Sequence, residues 1–344
     1  MNELVFVVPG PLDQLTGGYL YDRHIVDGLA ARGRAVRVVE LAPKADGAAF
    51  AALADETVVV VDGLALRSLE RMIIAQADRL RLVAFIHHPL AEETGLSRAE
   101  AERAVRLEAA VLPKFRGVLC PSRRTAAAVE RYCVPRDRIA VIPPGTAKPT
   151  AYRRLRRGPP RALLCVASVV PRKGHCVLVD ALAQIRHLDW NLTCVGSLDR
   201  DPATTRAVRR KISAAGFDRR ITLAGEWPPA SLSRAYRAAD IFVLPSFHEG
   251  YGMAYAEAMA HGLPIIATVA GAIPQTVPRQ AGLLVPPDDP PALAHALRRA
   301  LGERALAASL AAGARSAGAR LPDWPETTAG WAEALDRLAA LDLP

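Results

Sequence analysis

The chain has 344 residues, of which 51% are hydrophobic and 23% charged, and its formal net charge at pH 7 is +9. This length exceeds one ordinary core of about 150 residues and predicts two domains, whereas the composition excludes a disordered chain and the apolar runs are shorter than the roughly 18 residues of a membrane span. The positive charge comes mainly from scattered arginines without aromatic stacking motifs, so we expect no nucleic-acid partner.

The first residues, MNELVFVVPG, combine an acidic side chain with a short apolar run that ends at Pro and Gly. A secretory signal needs a basic start and a longer apolar stretch, so this segment predicts a first β-strand instead. The five cysteines are an odd number and contain no C-x-x-C pair. We therefore expect neither a disulfide framework nor a zinc site, and a cytoplasmic protein.

Short β-branched runs recur through the first half and are separated by Ala-, Leu- and Arg-rich segments with helical spacing. Such alternation predicts a parallel sheet that is covered by helices on both faces, in a doubly wound α/β domain. The predicted strands are 4–8, 36–40, 57–63, 81–88, 117–122 and 139–145.

A charged, Pro-containing segment at 151–161 interrupts the pattern, and a second alternating series follows it. We place the domains at 1–155 and 156–322, and the tail, 323–344, predicts a helix that could pack back on the first domain. Parallel α/β domains bind ligands at the carboxyl ends of their strands. The predicted strands of the second series are 162–168, 190–197, 220–226, 240–246, 263–268 and 282–287.

The segment PSFHEGYGMAYAEAMAHGLPIIAT at 245–268 carries the strongest chemical signal, because Glu249 and Glu257 form an E-x7-E arrangement. Gly250 and Gly252 allow backbone N–H groups to approach an anion closely, and the following helix directs its positive N-terminus to the same place. This arrangement suits a diphosphate. The loop carboxylate can then accept hydrogen bonds from a sugar, and the helix carboxylate from ribose hydroxyls.

This segment resembles the donor-site signature of glycosyltransferase family 4, a family of retaining enzymes, and the resemblance extends over nearly the full chain. The other matching segments are VPGPLDQLTGGYLYDRHIVDGLAARGRAVRVV, CPSRRTAAAV, IAVIPPGT, VASVVPRKGHCVLVDAL, AGAIPQTV and GLLVPPDDPPALAHAL. The resemblance implies a GT-B fold, with two Rossmann-like doubly wound domains that face an interdomain cleft. The second domain would hold the donor nucleotide and the first the acceptor.

The resemblance also implies catalytic roles for three residues, His87, Glu249 and Lys173, and substrate contacts for others. Ser168 departs from the pattern, because the family usually has an arginine there, and Arg172 could replace that arginine by proximity. The implied donor or acceptor contacts are Gly17, Gly18, His88, Arg172, Gly225, Glu226, Gly250, Tyr251, Gly252, Met253 and Glu257.

The expected function is transfer of a sugar from a nucleotide diphosphate sugar of UDP or GDP type, without a cofactor or bound metal, to a glycan, lipid-linked or small-molecule acceptor. No D-x-D motif lies at a strand end of the expected site. Two alternatives remain open: an inactive glycan- or lipid-binding protein of the same fold, and a nucleotide-sugar epimerase or phosphorylase. A basic amphipathic segment at 97–116 adds the hypothesis of peripheral contact with the inner membrane face, against an ordinary surface helix.

Overall fold

The computed structural model describes residues 3–41, 48–149 and 160–343. Its first sheet has six parallel strands in the order β2-β1-β3-β4-β5-β6. Continuous apolar runs form these strands because helices cover both faces, and all five residues of the first strand are fully buried. The strands are β1 (Leu4–Val8), β2 (Val36–Glu40), β3 (Val58–Asp62), β4 (Arg81–Phe85), β5 (Gly117–Cys120) and β6 (Ile139–Val141).

Five helices connect the strands of the first sheet. Side chains cap the starts of two of them: Ser97 and Glu100 form a capping box at the fourth helix, and the Ser122 hydroxyl accepts from the backbone N–H of Thr125 at the fifth. These helices are α1 (Gly17–Ala31), α2 (Ala48–Ala51), α3 (Leu66–Gln76), α4 (Arg98–Val111) and α5 (Arg123–Glu130).

The second sheet also has six parallel strands, in the order β12-β11-β10-β7-β8-β9. These strands are β7 (Ala162–Val166), β8 (Asn191–Val195), β9 (Ile221–Leu223), β10 (Ile241–Leu244), β11 (Ile265–Thr268) and β12 (Gly282–Val285). The helices that cover it are α6 (His175–Gln184), α7 (Pro202–Ala214), α8 (Pro229–Ala238), α9 (Met253–Ala260), α10 (Ile273–Thr276), α11 (Pro290–Gly302) and α12 (Arg304–Ala319). The prediction of doubly wound parallel sheets is confirmed.

Each sheet has a place where the chain direction across the sheet reverses. In the first sheet this point lies between β1 and β3, and in the second it lies between β7 and β10, which are neighbours although distant in sequence. At such a point the loops after the two strands diverge and leave a crevice at the carboxyl edge, where ligands of doubly wound folds bind. The sheet order therefore indicates two candidate ligand-binding places, one at the loops after β7 and β10 and the other at the loops after β1 and β3.

The last helix, α13 (Trp324–Ala339), belongs to the first of two compact units. That unit contains the described residues up to Gly145 and from Pro322, and the second runs from Thr146 to Leu321. The fully buried Trp331 stacks on Phe6 with ring centroids 6.0 Å apart. Residues 150–159, which hold most of the predicted connector, lie outside the described residues. Throughout the described ranges, every helix is too short or too polar to cross a membrane.

Candidate functional site

An ion pair joins the loops after β7 and β10 in the second unit. Lys173 ends a short 3-10 turn after β7, and its Nζ lies 2.6 Å from Oε1 of Glu249, which follows β10. Gly174 permits this approach, because its φ is +69° and a Cβ there would lie 2.2 Å from the carbonyl oxygen of Pro245. Two predicted site residues thus meet at the reversal point of the second sheet.

Glu249 is buried among donors that favour its charged form. The Ser246 hydroxyl donates to Oε1 at 2.7 Å, and the Arg172 Nη1 lies 3.5 Å from Oε2. Burial by itself would raise the pKa of Glu249, but Lys173, Arg172 and the hydrogen bonds lower it to about 2. Burial also lowers the pKa of Lys173, against the attraction of Glu249. The carboxylate is therefore ionised and already neutralised by its neighbours.

Arg172 also fixes the loop that carries Glu249, because it donates through Nη1 to the carbonyl oxygen of His248 at 2.9 Å. The backbone N–H of Phe247 in turn donates to the carbonyl oxygen of Arg172 at 2.8 Å. Arg172 thus lies beside Lys173 and Glu249, and its replacement of the arginine expected at Ser168 stays a prediction.

The loop after Glu249 leads into α9, and Gly252 is the cap residue of that helix with φ +93°. Met253 begins the helix, as the E-x7-E interpretation requires, so its first backbone N–H groups lie directly after the two glycines. Tyr251 between them is half-buried, and its carbonyl oxygen accepts a 2.6 Å hydrogen bond from the Thr276 hydroxyl. This bond ties Gly250, Tyr251 and Gly252 to α10.

Glu257 lies about one turn along α9 and has a different environment from Glu249. The Tyr236 hydroxyl donates to its Oε2 at 2.7 Å. Burial raises the pKa of Glu257, against this hydrogen bond. The pKa values of the two carboxylates of the E-x7-E segment are therefore shifted in opposite directions. Cations favour the ionised form of Glu249, whereas burial favours the protonated form of Glu257.

The loops after β7, β8 and β9 adjoin one another at the same sheet edge. The backbone N–H of Gly196 donates to the carbonyl oxygen of Gly225 at 2.9 Å, and a Cβ on Gly196 would lie 2.2 Å from the Ala167 carbonyl oxygen. Gly225 itself has φ +71°, and the neighbouring Glu226 is exposed. Backbone groups rather than side chains therefore form this part of the edge.

In the first unit, His87 follows β4 and lies between two carboxylates. Its Nε2 is 3.0 Å from Oδ1 of Asp22 on α1 and 3.2 Å from Oδ2 of Asp62 at the end of β3. Burial alone would lower the pKa of His87, but the two carboxylates raise it to about 10. Burial also raises the pKa of Asp22, even though the His87 ring opposes this. The two carboxylates therefore favour the protonated, cationic form of the imidazole.

Of the other predicted residues of the first unit, Gly18 packs against His87, whereas His88 has a different partner. A Cβ on Gly18, in the first turn of α1, would lie 3.4 Å from Cδ2 of His87, so the glycine allows close packing against the ring. Gly17 begins the same helix. His88 points to a separate partner, with its Nε2 3.0 Å from Oε2 of Glu93.

Two groups of side chains within the described ranges could ligate a metal ion. One is Asp22, Asp62 and His87, where hydrogen bonds already satisfy the ring nitrogen, and the other is Cys165, His175 and Cys194 in the second unit. The absence of a metal at the donor diphosphate stays a prediction.

Comparisons with known protein families identify both parts of the chain. Residues 160–303 match "Glycosyl transferases group 1", and residues 65–147 match "Glycosyltransferase Family 4". Together these matches cover about two thirds of the chain. The chain is a family 4 type glycosyltransferase.

Among curated relatives of this glycosyltransferase, the D-inositol 3-phosphate glycosyltransferase of Corynebacterium glutamicum is 35% identical over 184 residues, which are 48% of this chain and 44% of the relative. The enzyme of the same name from Salinispora arenicola is 30% identical over 240 residues, 60% of this chain and 51% of the relative. The chain thus spans about half the length of the curated relatives it matches.

Solved structures share the fold of this glycosyltransferase over nearly its whole length. Sucrose-phosphate synthase from Thermosynechococcus elongatus has a TM-score of 0.82 at 23% identity, with 99% of this chain and 100% of that chain covered. HepE of Anabaena, solved in complex with UDP-glucose, has a TM-score of 0.76 at 19% identity, with 97% and 99% covered. These likenesses establish the GT-B class of fold.

Sequence reasoning missed several partners of the predicted residues in this glycosyltransferase. Asp22 and Asp62 come from a helix and a strand end without any local motif, and only the sheet order brings them to His87. Tyr236 is equally remote from Glu257. Ser246 was recoverable, because it stands three residues before Glu249 in the same quoted segment.

Proposed function

We propose that the chain is a retaining glycosyltransferase that moves a sugar from a nucleotide diphosphate sugar to an acceptor hydroxyl. The observation that carries this proposal is the ion pair between Lys173 and Glu249, set beside the first turn of α9 at the reversal point of the second sheet. A cation and the backbone N–H groups of a helix start at one sheet edge suit a diphosphate.

Departure of a nucleoside diphosphate leaves negative charge on the β-phosphate. Lys173 and the N–H groups at the start of α9 would stabilise that charge more strongly in the transition state than in the bound donor. Lys173 shares its charge with Glu249, so we assign to Glu249 the positioning of Lys173 as well as a hydrogen bond to the transferred sugar.

Glu249 is a poor candidate for a covalent nucleophile. Its carboxylate has a pKa of about 2 and accepts hydrogen bonds from Lys173 and Ser246, which reduces its basicity. We therefore propose front-face attack, in which the acceptor hydroxyl approaches from the leaving-group side and gives its proton to the departing phosphate. This route retains the anomeric configuration without a glycosyl-enzyme intermediate.

Oε1 of Glu257 would accept from the donor ribose, while Oε2 accepts from Tyr236. In the first unit, we assign the cationic His87 to a hydroxyl of the sugar or acceptor, to which it donates a hydrogen bond. Glu257→Ala should then weaken donor binding, and Glu249→Ala should mainly lower turnover. Equal losses of donor affinity in both variants would contradict this division of roles.

The donor and acceptor classes can be tested together on the purified chain. UDP-glucose is the first donor to try, because HepE of Anabaena was solved with it, and a cyclitol phosphate is the first acceptor, because the curated relatives are D-inositol 3-phosphate glycosyltransferases. A ligand that binds only the folded state raises the melting temperature. A thermal-shift panel of UDP and GDP sugars should therefore select one nucleotide, and no shift with any of them would count against the proposal.

We propose that transfer needs no divalent metal at the diphosphate, because Lys173 and the α9 backbone meet its charge. Activity should then survive excess EDTA and should not rise when Mg²⁺ or Mn²⁺ is added. Cys165→Ala should be assayed in parallel, because a chelator could also remove an ion from the sulfur-containing cluster in the core. Strict dependence on Mg²⁺ or Mn²⁺ in both proteins would refute the proposal.

Ser168 favours one rival, an inactive glycan- or lipid-binding protein, because it stands where the family has an arginine. The position of Arg172 beside Glu249 counters it. Donor hydrolysis and transfer assays separate an enzyme from a binding protein, and incubation of the donor alone or with inorganic phosphate reveals an epimerase or phosphorylase. We place the protein in the cytoplasm, with peripheral contact to the inner membrane face as a further hypothesis.

A further inference from the structure

Three buried side chains with metal-binding chemistry meet in the core of the second unit. Cys165 on β7 and Cys194 on β8 are directly opposite each other in the parallel pairing, and His175 is the first residue of α6. Their exposed fractions are 0%, 3% and 2%. None of these residues belongs to the donor-site motif. The two cysteines lie far apart in sequence, so they form no C-x-x-C pair that would have predicted a metal site.

The three candidate ligand atoms of this cluster lie close enough together to share one metal ion. The two sulfur atoms and one ring nitrogen all lie within 4.8 Å of one another, and Cys165 Sγ is 3.7 Å from His175 Nε2. A tetrahedral ion with bonds of about 2.3 Å to sulfur and about 2.0 Å to nitrogen separates its ligand atoms by roughly 3.5–3.8 Å. An ion could therefore enter with only small movements of the three side chains.

The cluster lies in an apolar core, and its two sulfurs and one imidazole nitrogen are ligand atoms that a cation with affinity for sulfur binds. Nδ1 of His175 is buried and has no hydrogen-bond partner. Nε2 is the ring nitrogen that contacts sulfur, at Cys165 Sγ.

We propose that Cys165, Cys194 and His175 form a binding site for a soft, thiophilic cation, with Zn²⁺ and Cu⁺ as the ions of that chemistry. Two sulfurs and one imidazole are ligands that both ions accept. Binding forms three coordinate bonds and releases the protons of both thiols to solvent. His175 also lines a cavity of about 310 Å³ together with Gly174 and Phe247.

The site would act on the loop that carries Lys173. Only Gly174 separates Lys173 from His175, and Gly174 packs on the backbone of Pro245. An ion that ties His175 to β7 and β8 would fix the start of α6 and, through Gly174, the position of Lys173. This role is structural, and it goes beyond the proposed transfer reaction.

Titration of the reduced full chain with Co²⁺ alone tests the proposal, because thiolate ligands give cobalt intense charge-transfer absorption in the near ultraviolet. We expect saturation at one ion per chain, displacement by one equivalent of Zn²⁺, and loss of the band in Cys165→Ala and in Cys194→Ala. Cys120→Ala is the matched control, because Cys120 is also a buried strand cysteine but lies outside the cluster. A phosphine reductant keeps the thiols from forming a disulfide.

A second arm with Cu⁺, measured by competition with a chromogenic Cu⁺ chelator, decides which of the two ions binds more tightly. Circular dichroism of each variant shows that it is folded, and His175→Gln provides a further variant that leaves both thiols in place. We expect at least a tenfold loss of affinity in this variant. No band in the wild type, or a band that persists in Cys165→Ala or disappears in Cys120→Ala, would overturn the proposal, and none of these three results depends on glycosyl transfer.

Discussion

Among single residues, His87 offers the most direct experimental test, because its environment changes the pKa of its ring. Two carboxylates raise its pKa to about 10. Because the pKa in the folded state is above that of the unfolded chain, the stability that the charged ring contributes is fully present below about pH 6.5 and is lost as the pH rises through about 10. His87 should therefore remain charged over the whole physiological range.

NMR of the imidazole protons tests this assignment. In the wild type, we expect no titration of His87 between about pH 6 and 9. Asp22→Asn should bring its pKa down into that window, and Asp62→Asn should do so to a smaller extent, because Asp22 makes the larger contribution. His24, whose pKa is lowered by burial, provides a reference in the same spectra. A His87 that titrates near 6.5 in the wild type would refute the charged ring.

The two glutamates of the E-x7-E segment should affect stability with opposite dependence on pH. The pKa of Glu249 is lowered to about 2, so its contribution to stability is present above about pH 4.5 and is lost as the pH falls towards 2. The pKa of Glu257 is raised by burial, so its ionisation reduces stability as the pH rises above the unfolded value.

Equilibrium unfolding of the two glutamine variants as a function of pH measures this difference. At neutral pH, Glu249→Gln should cost about 3 kcal/mol of unfolding free energy, because it leaves Lys173 buried without its counter-ion. The loss should shrink as the pH falls below about 4.5. Glu257→Gln keeps an acceptor for Tyr236 and should become more stable relative to the wild type as the pH rises. The same pH dependence in both variants would contradict the assigned environments.

At the scale of elements, Gly174 couples the loop after β7 to the loop after β10. A methyl group here would lie 2.2 Å from the Pro245 carbonyl oxygen, in addition to the cost of placing a side chain at φ +69°. Gly174 directly follows Lys173, the cation of the donor site, and Pro245 stands four residues before Glu249, the carboxylate. The contact therefore sets the spacing between the two charged side chains.

Gly174→Ala and Gly216→Ala form a matched pair for this element. Gly216 has φ +71° but nothing within 4 Å of its added Cβ, so its substitution should cost only about 1–2 kcal/mol of backbone strain. Gly174→Ala should cost clearly more and should also weaken donor binding, because the loops must separate. Equal losses of stability, with donor affinity unchanged in both, would show that the contact does not position the site.

The comparison of sequence with structure also belongs to this scale. All twelve strands were predictable because continuous apolar runs bounded by turn residues have few other solutions in a doubly wound fold. The carboxyl ends of most of them were predicted too long, as at 81–88, where the strand ends at Phe85 and His87 lies in the loop.

The candidate site was predictable only where one segment held several of its residues. Glu249, Gly252 and Ser246 lie within one short stretch, and Lys173 followed from the resemblance. Asp62 beside His87, and Cys194 opposite Cys165, depend on the order and register of the strands. No local spacing encodes such pairs, so sequence patterns could not reveal them.

At the scale of the whole molecule, the net charge of +9 governs any contact with anionic surfaces. The predicted membrane segment contains α4, whose buried residues Ala104 and Val111 pack into the first unit, leaving Val105 as its large exposed apolar side chain. Arg116 is also buried and donates to the carbonyl oxygen of Leu341, so it does not belong to that surface. The remaining attraction would be electrostatic.

Co-sedimentation with vesicles tests this expectation. We expect weak binding to anionic vesicles at low ionic strength, no binding to neutral ones, and loss of binding as salt shortens the screening length to about 8 Å at 0.15 M. Replacing Arg98, Arg103 and Arg106 with glutamine should reduce the low-salt binding, since all three are exposed on α4. Binding that resists salt would indicate apolar insertion instead.

The membership of α13 in the first unit has a consequence for synthesis of the chain. The ribosome makes Phe6 and Phe85 early, but Trp331, which packs on both rings, emerges only after the entire second unit. At about 5–20 residues per second, the interval from Gly145 to Trp331 is roughly 10–40 s. During that time the first sheet lacks the helix that covers part of it. The second unit, continuous in sequence, can complete its fold first, and the unit that begins translation is the last to finish.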